Sequence, residues 1–176
     1  HCDIANWGMN TEHSAPRFIE GKGDFSRIEK GLFDTPPSYY FECDYEEGFT
    51  MIVADSTQQP KGMGAHFIGE EGWVHVNRSG LYTAPESLRR IELKSDDIRL
   101  YRSEDHYQNF IDSIKTRKPT VTPVEIAYYA ILPGHLGNIA MKTGRRLEWN
   151  RKRESFFGDE IADRYLHRPM RSPWKI

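Results

Sequence analysis

Cysteine is nearly absent. Cys2 and Cys43 are the only two thiols in 176 residues, too few and too unpatterned for a disulfide framework or a zinc knuckle, so cysteine use leaves the redox compartment open. No apolar run approaches the roughly 18 residues of a membrane span. An excess of one charge is missing too: 24 Lys+Arg stand against 26 Asp+Glu, a formal net charge of -2, and no positive field gathers nucleic acid or an anionic membrane. No repeat of about 20–50 residues is visible. Also lacking is the glycine-rich turn between strand and helix that cradles a dinucleotide pyrophosphate. Gly21-Lys22-Gly23 and Gly62-Met63-Gly64 have neither a third glycine nor a helical pattern after them, so the chain is expected to hold no NAD by itself.

What is present is an ordinary globular composition, with 38% hydrophobic residues and enough length for one domain with a real core, read as residues 1–176. The chain opens on "HCDIANWGMN" without an initiator methionine or leader, as though cut from something longer. Ile4 and Trp7 sit three apart in a short helix over Asp3–Met9, which Gly8 and Asn10 can end. "RFIEGKGDF" reads as a strand and glycine turn, "RIEKGLFDTPPS" as an irregular connection. In "YYFECDYEEGFTMIVAD" a three-residue loop, Glu46-Glu47-Gly48, closes with glycine in the left-handed slot. That loop pairs Tyr45 with Phe49, Cys43 with Met51 and Phe41 with Val53 on an apolar face. Asp44 with Thr50, Glu42 with Ile52 and Tyr40 with Ala54 form a mixed one. "HFIGEEGWVHV" repeats the device, with Glu70-Glu71-Gly72 as loop and Ile68 opposite Val74. "RRIELKSDDIRLYRS" can add a further strand or an extended edge.

Helices follow. Asp105 and Gln108 make an N-terminal box before a stripe of Tyr107, Phe110, Ile111 and Ile114. Thr122-Pro123-Val124-Glu125 starts a helix that should run to about Thr143, capped by Gly144. Pro133 should kink or break it. "RRLEWN" reads as another strand, "GDEIADRYLHR" as a last short helix. Two hairpins in tandem argue for an antiparallel or mixed sheet, and strands followed by helices for an α+β layer with helices packed on one side of the sheet.

The candidate chemistry is sparse. His66 and His75 would face each other across a two-residue loop. The three-residue loop instead pairs His66 with Val76 and Phe67 with His75, on different faces, so no metal site is expected. Asn77-Arg78-Ser79 fits a glycosylation sequon, a pattern common by chance. "GRRLEWNRKR" is basic but holds Glu148 and Trp149, as a solvated strand and turn would. His135, just after Pro133, can line a pocket, though a hydrogen-bonded packing role suits it better. His1 and Asp3, at the head of a helix, suit proton exchange with a hydroxyl, but as a bare spacing H-x-D carries little.

Across its whole length the chain resembles the C-terminal half of the Gfo/Idh/MocA family of NAD(P)-dependent oxidoreductases, particularly the bacterial, often exported branch. The resemblance rests on "HCDIANWGMN", "FIGEEGWVHVNR", "HLGNIAMKTGRRLEWN" and "GDEIADRYLHRPMRSPWKI", in that order and spacing. It implies an α+β fold with an open, mostly antiparallel sheet of the type shared with glyceraldehyde-3-phosphate dehydrogenase, helices packed on one face and the other used for homo-oligomerisation, beside an N-terminal Rossmann domain absent from this chain. It also implies that the family's catalytic histidine falls one position before His1, so no catalytic residue is expected here. His1, Asp3 and His135 remain as substrate-lining or supporting candidates, Asp3 in a supporting or helix-capping role. The implied function is the substrate-side and oligomerisation domain of an enzyme acting on a sugar or polyol, inactive as an isolated fragment. NAD or NADP is expected in the full-length protein only, in a bacterial cytoplasm or periplasm. Two alternatives stand beside it: a domain of an NAD-dependent glycosidase that oxidises its sugar transiently, and a stand-alone binding or assembly module.

Overall fold

The fold is seen in a computed structural model, which describes residues 1–26, 35–92 and 94–174. Two compact units divide the chain. One holds Cys2, Ser14–Met63 and Leu132–Ile176; the other holds His1, Asp3–His13 and Gly64–Ile131. Most of the connection read as irregular, residues 27–34, lies outside the described residues.

In the first unit β1 (Phe18–Gly23), β2 (Tyr39–Asp44), β3 (Thr50–Ala54), β7 (Leu147–Asn150) and β8 (Ser155–Phe156) form a five-stranded sheet in the order β3-β2-β1-β7-β8. All its pairings are antiparallel. The β2–β3 register is the expected one, Cys43 opposite Met51 and Glu42 opposite Ile52. Gly48 closes the loop at φ 88°, and the Tyr45 and Phe49 rings stack 4.6 Å apart. Period-2 alternation puts Ile19, Phe41, Cys43, Met51, Leu147 and Trp149 on one buried face. Each large apolar side chain there contributes roughly 1.5–3 kcal/mol by leaving water. Burial also pushes the Cys43 thiol far up, which keeps it inert.

The C-terminal half of α3 (Val124–Thr143) lies on that face, burying Leu132, Leu136, Ile139 and Ala140. Gly137 permits the approach: a Cβ there would stand 2.4 Å from the Phe41 ring. Gly144 ends the helix as expected, at φ 65° with its N–H on the Ala140 carbonyl at 2.9 Å. The short helix α4 (Glu160–Asp163) follows, capped by the Asp159 carboxylate on the Ala162 N–H. At the far end of the sheet Asp55 accepts from the Ser38 hydroxyl, the Tyr39 and Thr57 amides and Gln58 Nε2. The Thr57 hydroxyl donates to it as well and contributes most; with Gln58 and the Tyr39 and Thr57 amides it holds the carboxyl far below the usual carboxylate range.

In the second unit β4 (Ala65–Gly69), β5 (Gly72–Asn77) and β6 (Gly80–Ala84) form a separate three-stranded sheet. Its first hairpin departs from expectation. Gly69 pairs with Gly72 across the two-residue loop Glu70-Glu71, so Ile68 faces Trp73, not Val74. The cause is Gly72. It lies at φ 146° inside the strand, where a Cβ would meet the Ala84 carbonyl at 2.1 Å. This glycine serves a close approach between strands, not a left-handed bulge. The β5–β6 turn is an Asx turn, Asn77 Oδ1 accepting from the Ser79 and Gly80 amides at 2.8 and 3.1 Å.

No strand forms at residues 91–104 among those described. A 3₁₀ turn, Glu86–Arg90, is followed by irregular chain that leaves Ile91, Ile98 and Leu100 exposed. The helix α2 (His106–Thr116) is capped as expected by Asp105 on the Gln108 amide, but its stripe of Tyr107, Phe110, Ile111 and Ile114 is exposed. No described helix is long and apolar enough to cross a membrane.

The helix α1 (Cys2–Met9) ends on Asn10 in the left-handed conformation. It packs so closely that a Cβ at Gly8 would lie 2.3 Å from the Phe67 ring. Asn6, buried at 1% exposure, donates from Nδ2 to the Tyr129 carbonyl on the first half of α3 at 3.2 Å. Of the kink or break expected at Pro133, the break does not occur, and α3 runs through it as one helix of 20 residues.

Two outcomes are expected of this core. Gly137→Ala should destabilise the protein by about 1–3 kcal/mol in denaturant unfolding, because the added methyl overpacks the Phe41 contact; unchanged stability would contradict that packing. Asp55, with its folded-state pKa depressed, adds stability above an unfolded carboxylate value of about 4 that is lost as pH falls below it. Between pH ~5 and ~2 the wild type should therefore lose more stability than Asp55→Asn.

Candidate functional site

The head of α1 carries the His1–Asp3 pair on a helix held by Asn6. His1 is the N-cap residue and its side chain makes no capping bond; it is exposed, while its carbonyl accepts from the Ala5 amide at 3.0 Å. Capping is therefore not the role of Asp3. It stands half-buried in the first turn, where a carboxylate is favoured by the helix dipole. The two residues share one exposed helix head and can offer an imidazole and a carboxylate to a hydroxyl-bearing ligand. His135 belongs to the other unit and is exposed on α3, not packed.

The corrected β4–β5 register brings His66 and His75 directly opposite each other, their rings 5.8 Å apart and edge to face. Trp73 and Tyr82 extend the row, at 5.4 Å from His66 and 6.1 Å from His75. The Asn77 amide decides the chemistry of His75. Its oxygen already serves two backbone amides, so its Nδ2 faces His75 Nε2 at 3.3 Å. Nε2 must then accept, which places the ring proton on Nδ1, a buried atom with no acceptor among the described residues. A metal at Nδ1 would need the opposite tautomer. No group of three or more His, Cys, Asp or Glu among the described residues is arranged to hold a metal ion. The same Asx turn ties up the sequon asparagine.

The outer face of the five-stranded sheet is charged and paired. Arg146 reaches Glu20 at 2.5 Å and Asp44 at 2.9 Å, with its guanidinium 4.7 Å from the Phe18 ring centre. Burial opposes its charge, but the two carboxylates outweigh that and raise its pKa. Arg17 bridges Glu46 and Glu148, each at 3.2 Å. The Tyr40 hydroxyl donates to Glu42, a bond that with partial burial pushes its pKa up to about 12. Ile52 stays 49% exposed among them. Pairs this open contribute at most about 1 kcal/mol each, so the network adds little stability. Sequence reasoning found the mixed strand positions and read Arg146 into the strand "RRLEWN" as a solvated residue, but not its pairing with Glu20 and Asp44; the strand itself starts one residue later, at Leu147.

Neither glycine pair fits a pyrophosphate. Gly21 lies within β1, where a Cβ would stand 2.4 Å from Phe41 Cβ, and Gly62-Met63-Gly64 runs into strand β4. The described residues thus offer no dinucleotide cradle of the strand-turn-helix kind, and no step through a nicotinamide can be derived on them. Residues 39–176 match the family model GFO_IDH_MocA_C2, described as "Oxidoreductase family, C-terminal alpha/beta domain". No curated protein and no solved structure matches the chain.

The tautomer is open to test. Nitrogen-detected NMR should show neutral His75 protonated at Nδ1, and Asn77→Ala should abolish that preference; an Nε2-protonated ring in the wild type would contradict the assignment.

Proposed function

The chain belongs to the Gfo/Idh/MocA oxidoreductase family, whose C-terminal α/β domain it carries, and from that premise we propose that it is the substrate-side and oligomerisation domain of an NAD(P)-dependent enzyme acting on a sugar or polyol. The family match carries this reading. A hydride moves to or from a nicotinamide in such enzymes, and the dinucleotide is held by an N-terminal Rossmann domain. His1 and Asp3 present an imidazole and a carboxylate at the exposed head of α1, suited to hydrogen-bonding sugar hydroxyls beside the reacting carbon. In this reading the proton-transferring histidine precedes His1.

The outer sheet face supports the oligomer part of the proposal. Its paired charges, Arg146 with Glu20 and Asp44 and Arg17 with Glu46 and Glu148, add little to the fold and flank the exposed Ile52. Pre-satisfied charges around an apolar residue suit a contact with a second copy, because they enter it without being left unpaired.

Calorimetric titration tests the assignment directly. The 176-residue chain is expected to show no specific binding of NAD(H) or NADP(H), while the full-length protein binds one of them and turns over a sugar or polyol with stoichiometric change of the cofactor. Tight dinucleotide binding by this chain alone would overturn the proposal, and turnover of glycosides without net cofactor change would assign the transient-oxidation chemistry instead.

A further inference from the structure

Pro133 lies inside α3, and proline has no N–H. In a regular helix the amide of residue 133 would serve the carbonyl of residue 129. The Tyr129 carbonyl is where the Asn6 side chain arrives, its Nδ2 at 3.2 Å, from a residue 123 positions away in sequence. The orientation of the Asn6 amide is set independently. Its Oδ1 accepts the Thr11 hydroxyl at 3.2 Å, and the Thr11 N–H returns to the Asn6 carbonyl at 2.8 Å. Nδ2 therefore has to face α3. Both Asn6 and Thr11 are 1% exposed, so the bond between them forms out of water and the bond to Tyr129 is partly buried, where an unmet polar group is expensive.

We propose that Asn6 is a positioning residue: it meets the carbonyl that Pro133 leaves without its helical donor, and by doing so fixes α1, with His1 and Asp3 at its head, against the first half of α3. Asp3 lies one turn before Asn6, so a rotation or slide of α1 about this bond carries the pair with it. A regular α3, without the proline, would meet its own bond internally and present no such anchor. The catalytic consequence rests on the proposed function, whereas the anchoring itself does not.

Two variants and their combination test it. Asn6→Ala should speed hydrogen exchange of the α1 amides roughly tenfold, with β2 and β3 unaffected. Pro133→Ala restores a backbone donor to Tyr129, so in that background Asn6→Ala should have a clearly smaller effect. Should Asn6→Ala alone fail to fold, the double variant is expected to recover folding. Equal effects in both backgrounds, or no effect in either, would overturn the anchoring, as would failure of both variants to fold. In the full-length enzyme Asn6→Ala should lower kcat roughly tenfold, leave the cofactor KM unchanged and be partly rescued by Pro133→Ala. An unchanged kcat in an active enzyme overturns the positioning role. An unmodified enzyme without nicotinamide-dependent turnover overturns the functional reading instead, while hydrogen exchange still decides the anchor.

Discussion

One missing hydrogen governs how α1 meets the first half of α3. Pro133 deprives α3 of an amide donor and the helix runs on through it, while Asn6 donates to the Tyr129 carbonyl and Thr11 holds Asn6 in place. The bond is partly buried and its donor residue wholly so, which makes it geometrically demanding. Gly8 adds a second demand on α1, since its contact with Phe67 leaves no room for a side chain. Together they explain why a helix of eight residues, too short to be stable alone, is ordered with His1 at its head. A comparable constraint acts in the other unit, where Gly137 brings the α3 backbone onto Phe41.

The two similar hairpins show what can be read from sequence. Glu46-Glu47-Gly48 and Glu70-Glu71-Gly72 look alike, and only the first takes the three-residue form. Gly48 has nothing within 4 Å of its absent Cβ, so its turn is decided locally and the pattern suffices. Gly72 is pinned by the Ala84 carbonyl of a third strand, so its register is decided by a neighbour the turn rule does not contain. The one-residue slip then moved His75 from the side opposite His66 to a position facing it. The stretch read as a further strand or an extended edge forms no strand over residues 91–103 among those described, and leaves Ile91, Ile98 and Leu100 exposed.

The candidate site was partly legible. The head of α1 followed from the Asp3–Met9 pattern, and the helix caps at Asp105, Gly144 and Asp159 are local devices that short spacings reveal. What closes the structure joins distant residues: Asn6 to Tyr129, and Arg146 to Glu20, 126 positions apart. No periodicity encodes such pairs. Pro133 was itself the available signal, because a proline inside a strong helical pattern implies a carbonyl seeking another donor.

A charged sheet face and an exposed helix head are together what a domain needs if it is to complete a site with a nucleotide-binding partner and pack against a copy of itself, which is the function proposed here. The most direct test is a crystal structure of the full-length protein with its nicotinamide cofactor and a sugar. The expected result is His1 and Asp3 within hydrogen-bonding distance of the sugar hydroxyls, with every contact to the pyrophosphate made by residues outside this chain. A dinucleotide cradled by residues 1–176, or a sugar bound far from the α1 head, would contradict it.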